Sequence, residues 1–241
     1  ITHLGGTILG TTNKGNPLRY PMVDKQGRAY EKDRSDEIMR AFRREKIDAL
    51  IAIGGDGSLS IANAFAEKGL RVIGVPKTID NDLPLPHGVP TFGFETAVTE
   101  ARRATYAANT EAEASRNGIG LVKLMGRDSG FIAAYSVLAN SQVNFCLIPE
   151  VPFTLERFLA ELQQRLEQRG HAVIVAAEGA GQDLTAKTAE RDASGNIKYG
   201  DIGIFLRDAI REHFKRSGRE ISLKYIDPSY MIRSVPANPH D

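Results

Sequence analysis

IAIGGDGSLS, Ile51–Ser60, runs from an apolar strand through a glycine-rich turn into a helix. Glycines at such a turn let the backbone approach a bulky anion, and the helix that follows offers unpaired N–H groups and a favourable dipole to phosphate. Any tight strand-to-helix turn also favours glycine and aspartate, so the turn alone leaves a packing reading open. A second strand end, about two dozen residues later, bears on that choice. There the apolar run Arg71–Val75 breaks into Pro76-Lys-Thr-Ile-Asp-Asn-Asp82. A polar loop after a buried strand is the plain reading, since Asn and Asp hydrogen-bond their own backbone.

Outward from these two strands, apolar runs alternate with amphipathic stretches, the pattern of mostly parallel sheets with helices on their faces. Strands are expected at 49–53, 71–75, 119–124, 144–148, 172–176 and 221–225. Helices are expected at 36–45, 59–67, 95–114, 131–139 and 202–215. The helical period is clearest after Thr154, where Leu155, Phe158, Leu159, Leu162 and Leu166 share a face. Thr154 can cap its start and Gly170 its end. The polar stretch 181–200 reads as a long loop, and the proline-bearing turn 83–90 as a passage between two lobes.

The 241 residues carry a formal net charge of +1, with 41% hydrophobic and 25% charged residues. That composition suits a globular chain with a sizeable core and gives no overall attraction to nucleic acid or to a membrane. The single cysteine, Cys146, sits in the apolar run Phe145–Ile148 and reads as a packing thiol. Five histidines share no ligand spacing, so a structural zinc site is not expected. No apolar run approaches the roughly 18 residues of a membrane span, and the start lacks a leader pattern, which predicts a cytoplasmic setting. The first residue is not methionine and the last stretch has no closing element, from which a piece of a longer chain is expected.

In parallel folds, ligands gather at the carboxyl ends of strands. Asp56 follows one such end, and Asp80 and Asp82 follow the next. Three carboxylates converging beside a phosphate-cradling turn would repel one another unless a divalent cation sat among them. Phosphoryl transfer with magnesium meets that requirement: Asp80 as the base that accepts a hydroxyl proton, Lys77 as the cation beside the transferred group, Asp56 on the metal side.

The ordered set Gly54-Gly-Asp-Gly-Ser58, Pro76-Lys-Thr-Ile-Asp-Asn-Asp82, Met125-Gly-Arg127, Glu178 and Lys224-Tyr-Ile-Asp-Pro-Ser-Tyr-Met-Ile-Arg233 resembles the 6-phosphofructokinase family, along nearly the whole chain. The resemblance implies a phosphofructokinase-type fold of two Rossmann-like α/β lobes, here incomplete. The donor side would comprise 1–91 and 232–241, the sugar side 92–231. It implies that Asp80 deprotonates the 1-hydroxyl of fructose 6-phosphate, that Thr78 and Asp82 support the reacting groups, and that Asp56 and Asp82 face Mg2+. Gly54, Gly55, Asp56, Gly57 and Ser58 would hold the donor. Met125, Gly126, Arg127 and Glu178 match sugar-binding positions, and Tyr230 and Arg233 match positions around the 6-phosphate, where a planar guanidinium fits well. Lys224 matches a position that reaches a neighbouring subunit's sugar phosphate, so a homo-oligomer with shared sites is implied.

The family uses ATP or pyrophosphate. Gly57 resembles the ATP pattern and Lys77 the pyrophosphate pattern; a branch with both uses ATP, which favours ATP here. Three positions depart from common members. Ile61 stands for a glycine near the nucleotide. Gly118 stands where short bacterial enzymes carry a phosphate-binding arginine. Asn13 and Lys14 stand where another arginine often sits, Lys14 being the softer cation. The NAD kinase and diacylglycerol kinase group shares Gly-Gly-Asp-Gly but leaves the other motifs unexplained. A non-catalytic regulatory subunit would keep the fold and lose turnover.

Overall fold

The computed structural model describes residues 8, 10, 12, 15–185 and 198–241. These fall into two compact units, one of the described residues up to Thr78, the other running from Ile79 and including Tyr199–Asp241.

The first unit opens with an antiparallel hairpin, β1 (Tyr20–Val23) and β2 (Ala29–Lys32), closed by a five-residue loop in which Asp24 and Arg28 pair. Helix α1 (Ser35–Arg44) follows, then β3 (Leu50–Gly54), α2 (Asp56–Glu67) and β4 (Val72–Pro76). Strands β3 and β4 pair in parallel, joined through α2. Met39, Phe65 and Leu70 form a small core with Leu50, Ile61 and Val72 beside it, so the helices cover one face of the sheet. The other side chains, Ile51, Ile53, Ile73 and Val75, are exposed.

The second unit is a four-stranded parallel sheet in the order β6-β7-β5-β8, built from β5 (Gly118–Leu124), β6 (Phe145–Leu147), β7 (His171–Ala177) and β8 (Ser222–Ile226). Helices α3 (Phe94–Ala114), α4 (Phe131–Leu138) and α7 (Ser229–Arg233) share one core with the sheet. Helices α5 (Leu155–Arg169) and α6 (Ile202–Arg216) build the other core. The inner strands β5 and β7 are buried on both faces, which is why they read as continuous apolar runs. Alanines of α3 lie directly on β5: a Cβ on Gly118 would stand 2.0 Å from the Ala112 carbonyl oxygen, and one on Gly120 would stand 2.7 Å from that of Ala108. A side chain at either glycine would therefore have no room against α3.

Every strand expected from the sequence is present, within two residues of its expected bounds. The periodic helix also has its expected ends: Thr154 accepts the Arg157 N–H, and Gly170 takes a left-handed φ of 75°. Helix α2 differs, starting at Asp56 rather than 59, so the turn after β3 is only Gly55 and the motif's Asp56, Gly57 and Ser58 lie in the first helical turn.

The division between the two units falls between Thr78 and Ile79, where Ile79 packs into the α3 core. Residues 232–241 group with the second unit: Ile232 is buried there, and the Asp241 carboxylate takes the N–H groups of Gly93, Glu95 and Thr96 at the start of α3. Most of the loop expected at 181–200 lies outside the described residues, as do Asn13 and Lys14.

Candidate functional site

In the first unit, the pairing of β3 with β4 sets Gly54 opposite Pro76, and the Lys77 N–H donates to the Gly54 carbonyl at 2.8 Å. Both chains leave the sheet together. A Cβ on Gly55 would come 3.5 Å from the Thr78 Cβ, so the start of α2 lies against Thr78. Among the described residues no side chain caps α2; its N-cap is Gly55, and Asp56 is the acidic residue of its first turn. An uncapped start leaves the first N–H groups available to an anion. Gly54 is required by packing, since a Cβ there would meet Ser58 at 2.6 Å. Gly57 is not: a Cβ there meets nothing within 4 Å among the described residues, so its smallness leaves open space. Lys77 is exposed and Thr78 half-buried.

In the second unit, Ile79 anchors the segment that carries Asp80, half-buried, and Asp82, exposed. Asn81 takes a left-handed φ of 56° and its side chain accepts the Thr91 N–H, fixing the turn. The Ser129 hydroxyl lies 3.0 Å from both the Asp80 and Gly126 carbonyl oxygens, tying this segment to the Met125–Arg127 turn.

That turn is unusual backbone. Gly126 has φ 142° and Arg127 φ 52°, and a Cβ on Gly126 would stand 2.5 Å from the Ser129 carbonyl oxygen. Glu178, at the end of β7, holds it: its Oε1 accepts the N–H of Arg127 at 2.8 Å and of Gly126 at 3.3 Å. Half of a carboxylate expected to bind sugar thus also shapes the arginine turn. The Arg127 guanidinium lies over the Tyr199 ring, 4.9 Å from its centroid, and the Tyr199 hydroxyl bonds Asp128. Burial and that bond push the Tyr199 pKa up to about 12.

Behind this turn, Lys123 on β5 donates to Asp227 at 2.8 Å and Asp201 at 3.2 Å. Asp201 also caps α6 through the Ile204 N–H. Burial works against the Lys123 charge, but the hydrogen bond to Asp227 and the surrounding negative charge outweigh it and raise its pKa. The short helix α7 is pinned by Ile232, 2% exposed, while Tyr230 is 82% exposed and Arg233 faces out one turn on. Lys224 is exposed on β8.

Sequence reasoning missed Tyr199, Asp128 and Lys123. Tyr199 carries no motif and Asp128 only follows one, while Lys123 reads as a lone charge within an apolar strand.

Among the described residues no three or more His, Cys, Asp or Glu side chains gather so as to hold a metal ion. The strand ends lead to the expectation of an acidic cage; Asp56 lies in the first unit and Asp80 and Asp82 in the second. Magnesium does not need such a cage: it is commonly held by one or two carboxylates together with phosphate and water, and the oxygen donors of Asp56 and Asp82 fit that chemistry. Burial, reinforced by Glu150, pushes the Cys146 thiol up to about 11, which fits its packing role. No described helix is long and apolar enough to cross a membrane.

A solved structure of Pichia pastoris phosphofructokinase in the T-state is similar in fold, with TM-score 0.68 at 21% identity, over 98% of this chain and 24% of that one. ATP-dependent 6-phosphofructokinase 7 of Arabidopsis thaliana is 45% identical over 249 residues, covering 98% of this chain and 47% of the relative. The ATP-dependent 6-phosphofructokinase of Borreliella burgdorferi is 45% identical over 258 residues, covering 100% of this chain and 53% of the relative. The chain spans about half the length of these curated relatives. With the sequence model named Phosphofructokinase matching residues 1–241, on a fold whose strand ends carry the glycine turn, the TIDND segment and the Met-Gly-Arg turn, the chain belongs to the phosphofructokinase family.

Proposed function

We propose that this chain serves in an ATP-dependent 6-phosphofructokinase, which moves the γ-phosphoryl group of ATP to the 1-hydroxyl of fructose 6-phosphate. The observation that carries the reading is the in-register exit of β3 and β4, which sets the uncapped start of α2 against Thr78, two residues before Asp80. Donor binding belongs to the unit ending at Thr78 and sugar binding to the unit that follows.

The N–H groups of Gly55 to Ser58 hold the donor phosphates, and Lys77 and Thr78 orient the group in transfer. Asp80 accepts the proton of the 1-hydroxyl while that oxygen bonds to the γ-phosphorus and the bond from phosphorus to the leaving ADP oxygen breaks. Asp56 and Asp82 would hold Mg2+, which supplies neutralisation of phosphate charge when bound. Arg127 and Glu178 orient the sugar, and Tyr230 and Arg233 take its 6-phosphate. Lys224, exposed on β8, is open to a neighbouring subunit's sugar phosphate in a homo-oligomer. A cytoplasmic setting is part of the same proposal.

Lys77 keeps pyrophosphate as the second donor, while the open space at Gly57 favours a bulkier nucleotide. The test is formation of fructose 1,6-bisphosphate by the full-length enzyme with magnesium and each donor in turn. Product with ATP alone is expected. Product with pyrophosphate alone overturns the donor assignment, and product with neither points to a regulatory subunit.

A further inference from the structure

Arg127 sits in a strained left-handed turn at the head of a loop, a poor place from which to aim a long side chain unaided. Its guanidinium is nonetheless fixed from outside the turn. The Tyr199 ring lies beneath it at 4.9 Å, and the Tyr199 hydroxyl is bonded to Asp128, the next residue along the turn. Tyr199 is itself anchored through its neighbour Gly200. Gln182 accepts the Gly200 N–H at 3.0 Å and donates to the Gly200 and Glu178 carbonyls at 3.1 and 2.7 Å. Glu178 closes the circuit on the Arg127 N–H at 2.8 Å. Arg127, Asp128, Tyr199, Gly200, Gln182 and Glu178 thus form a ring of contacts around the arginine turn, with the Tyr199 ring against the guanidinium.

We propose that Tyr199 is a positioning residue for the sugar phosphate: its ring presents the Arg127 guanidinium to the substrate, and its bond to Asp128 locks the ring in place. The inference rests on the reading that Arg127 binds fructose 6-phosphate. An Arg held flat on an aromatic face loses less freedom when it binds an anion, so the effect falls on substrate affinity and not on the chemical step.

The experiment compares Tyr199→Leu, which keeps bulk without a π face, with Tyr199→Phe, which keeps the ring and loses the hydroxyl, in the full-length enzyme with ATP, each also in an Arg127→Ala background. For Tyr199→Leu, KM for fructose 6-phosphate is expected to rise about five- to tenfold, from the usual worth of a cation–π contact, with kcat and the KM for ATP little changed. Tyr199→Phe should recover most of the affinity, and the effect of Leu should vanish once Arg127 is gone. An unchanged KM in Tyr199→Leu overturns the proposal. So does a rise of equal size in the Arg127→Ala background, or a fall in thermal stability with no change in KM. If the parent enzyme does not phosphorylate fructose 6-phosphate, it is the underlying functional reading that fails. In that case retention on a fructose 6-phosphate affinity matrix still tests Tyr199.

Discussion

Asp80 and Gly57 make separable claims on the chemistry, one about a proton and one about room. Asp80→Asn keeps shape and removes the base, so kcat should fall by about 10²–10⁴-fold, the usual worth of general base catalysis, with sugar-phosphate binding retained. Near-normal turnover in a steady-state assay would remove Asp80 from that role. Gly57→Asp places a carboxylate in open space in the first turn of α2, so folding should survive while ATP use falls more than pyrophosphate use. Equal losses with both donors would mean that no nucleotide passes Gly57. Residues in these motifs were legible because their chemistry is local: glycines that a turn needs, carboxylates at strand ends. Glu178 was only half legible. Its motif resemblance was readable, but its grip on the Gly126 and Arg127 N–H groups depends on β7 ending beside β5, which no local pattern announces.

Lys123 links three elements through one ammonium: β5, the start of α6 through Asp201, and the turn before α7 through Asp227. Burial works against the Asp227 charge, but hydrogen bonds from Lys123 and Ser229 outweigh it and hold its pKa below 3.8. A lowered carboxylate pKa contributes stability that is present above the unfolded value and lost as pH falls through the folded one. Lys123, raised above 10.5, contributes stability that is present below that pH and lost above it. Tyr225, which burial pushes up from 10.0 to about 12, adds to the same alkaline loss. Lys123→Met should therefore destabilise by about 1–2 kcal/mol near neutral pH, less than the 3–5 of a fully buried pair because Asp227 is 35% exposed. Thermal melts should show the gap to the parent closing below about pH 4; a gap that stays constant from pH 3 to 9 would contradict the linkage. Element existence was legible wherever strands are buried on both faces, as β5 and β7 are. The hairpin β1–β2 was not, because Tyr20–Val23 and Ala29–Lys32 are almost wholly exposed and show no alternation to read. The start of α2 was read three residues late, because glycine and aspartate signal turn as strongly as helix start.

Across the whole molecule, the two units differ in how much apolar surface each buries. The second has a core on each face of its sheet, while the first rests on Met39, Phe65 and Leu70 with one sheet face open. Amides of β3 and β4 should therefore exchange with solvent faster than those of β5 and β7, by about tenfold or more for each 1.4 kcal/mol of difference in opening free energy. Hydrogen-exchange mass spectrometry reads this directly, and equal protection in both units would contradict it. The division at Ile79 has no local signal, since Ile79 is one apolar residue inside a polar segment and its burial is decided by α3. The start of α3 has a further consequence. Its cap, the Asp241 carboxylate, is 145 residues from Thr96. On a ribosome adding about 5–20 residues per second, α3 waits about 7–30 s in the nascent chain for the group that satisfies its first N–H donors. During translation its first turn is left to water or to a chaperone, and release of the later chain, not local sequence, sets when that end of the helix closes.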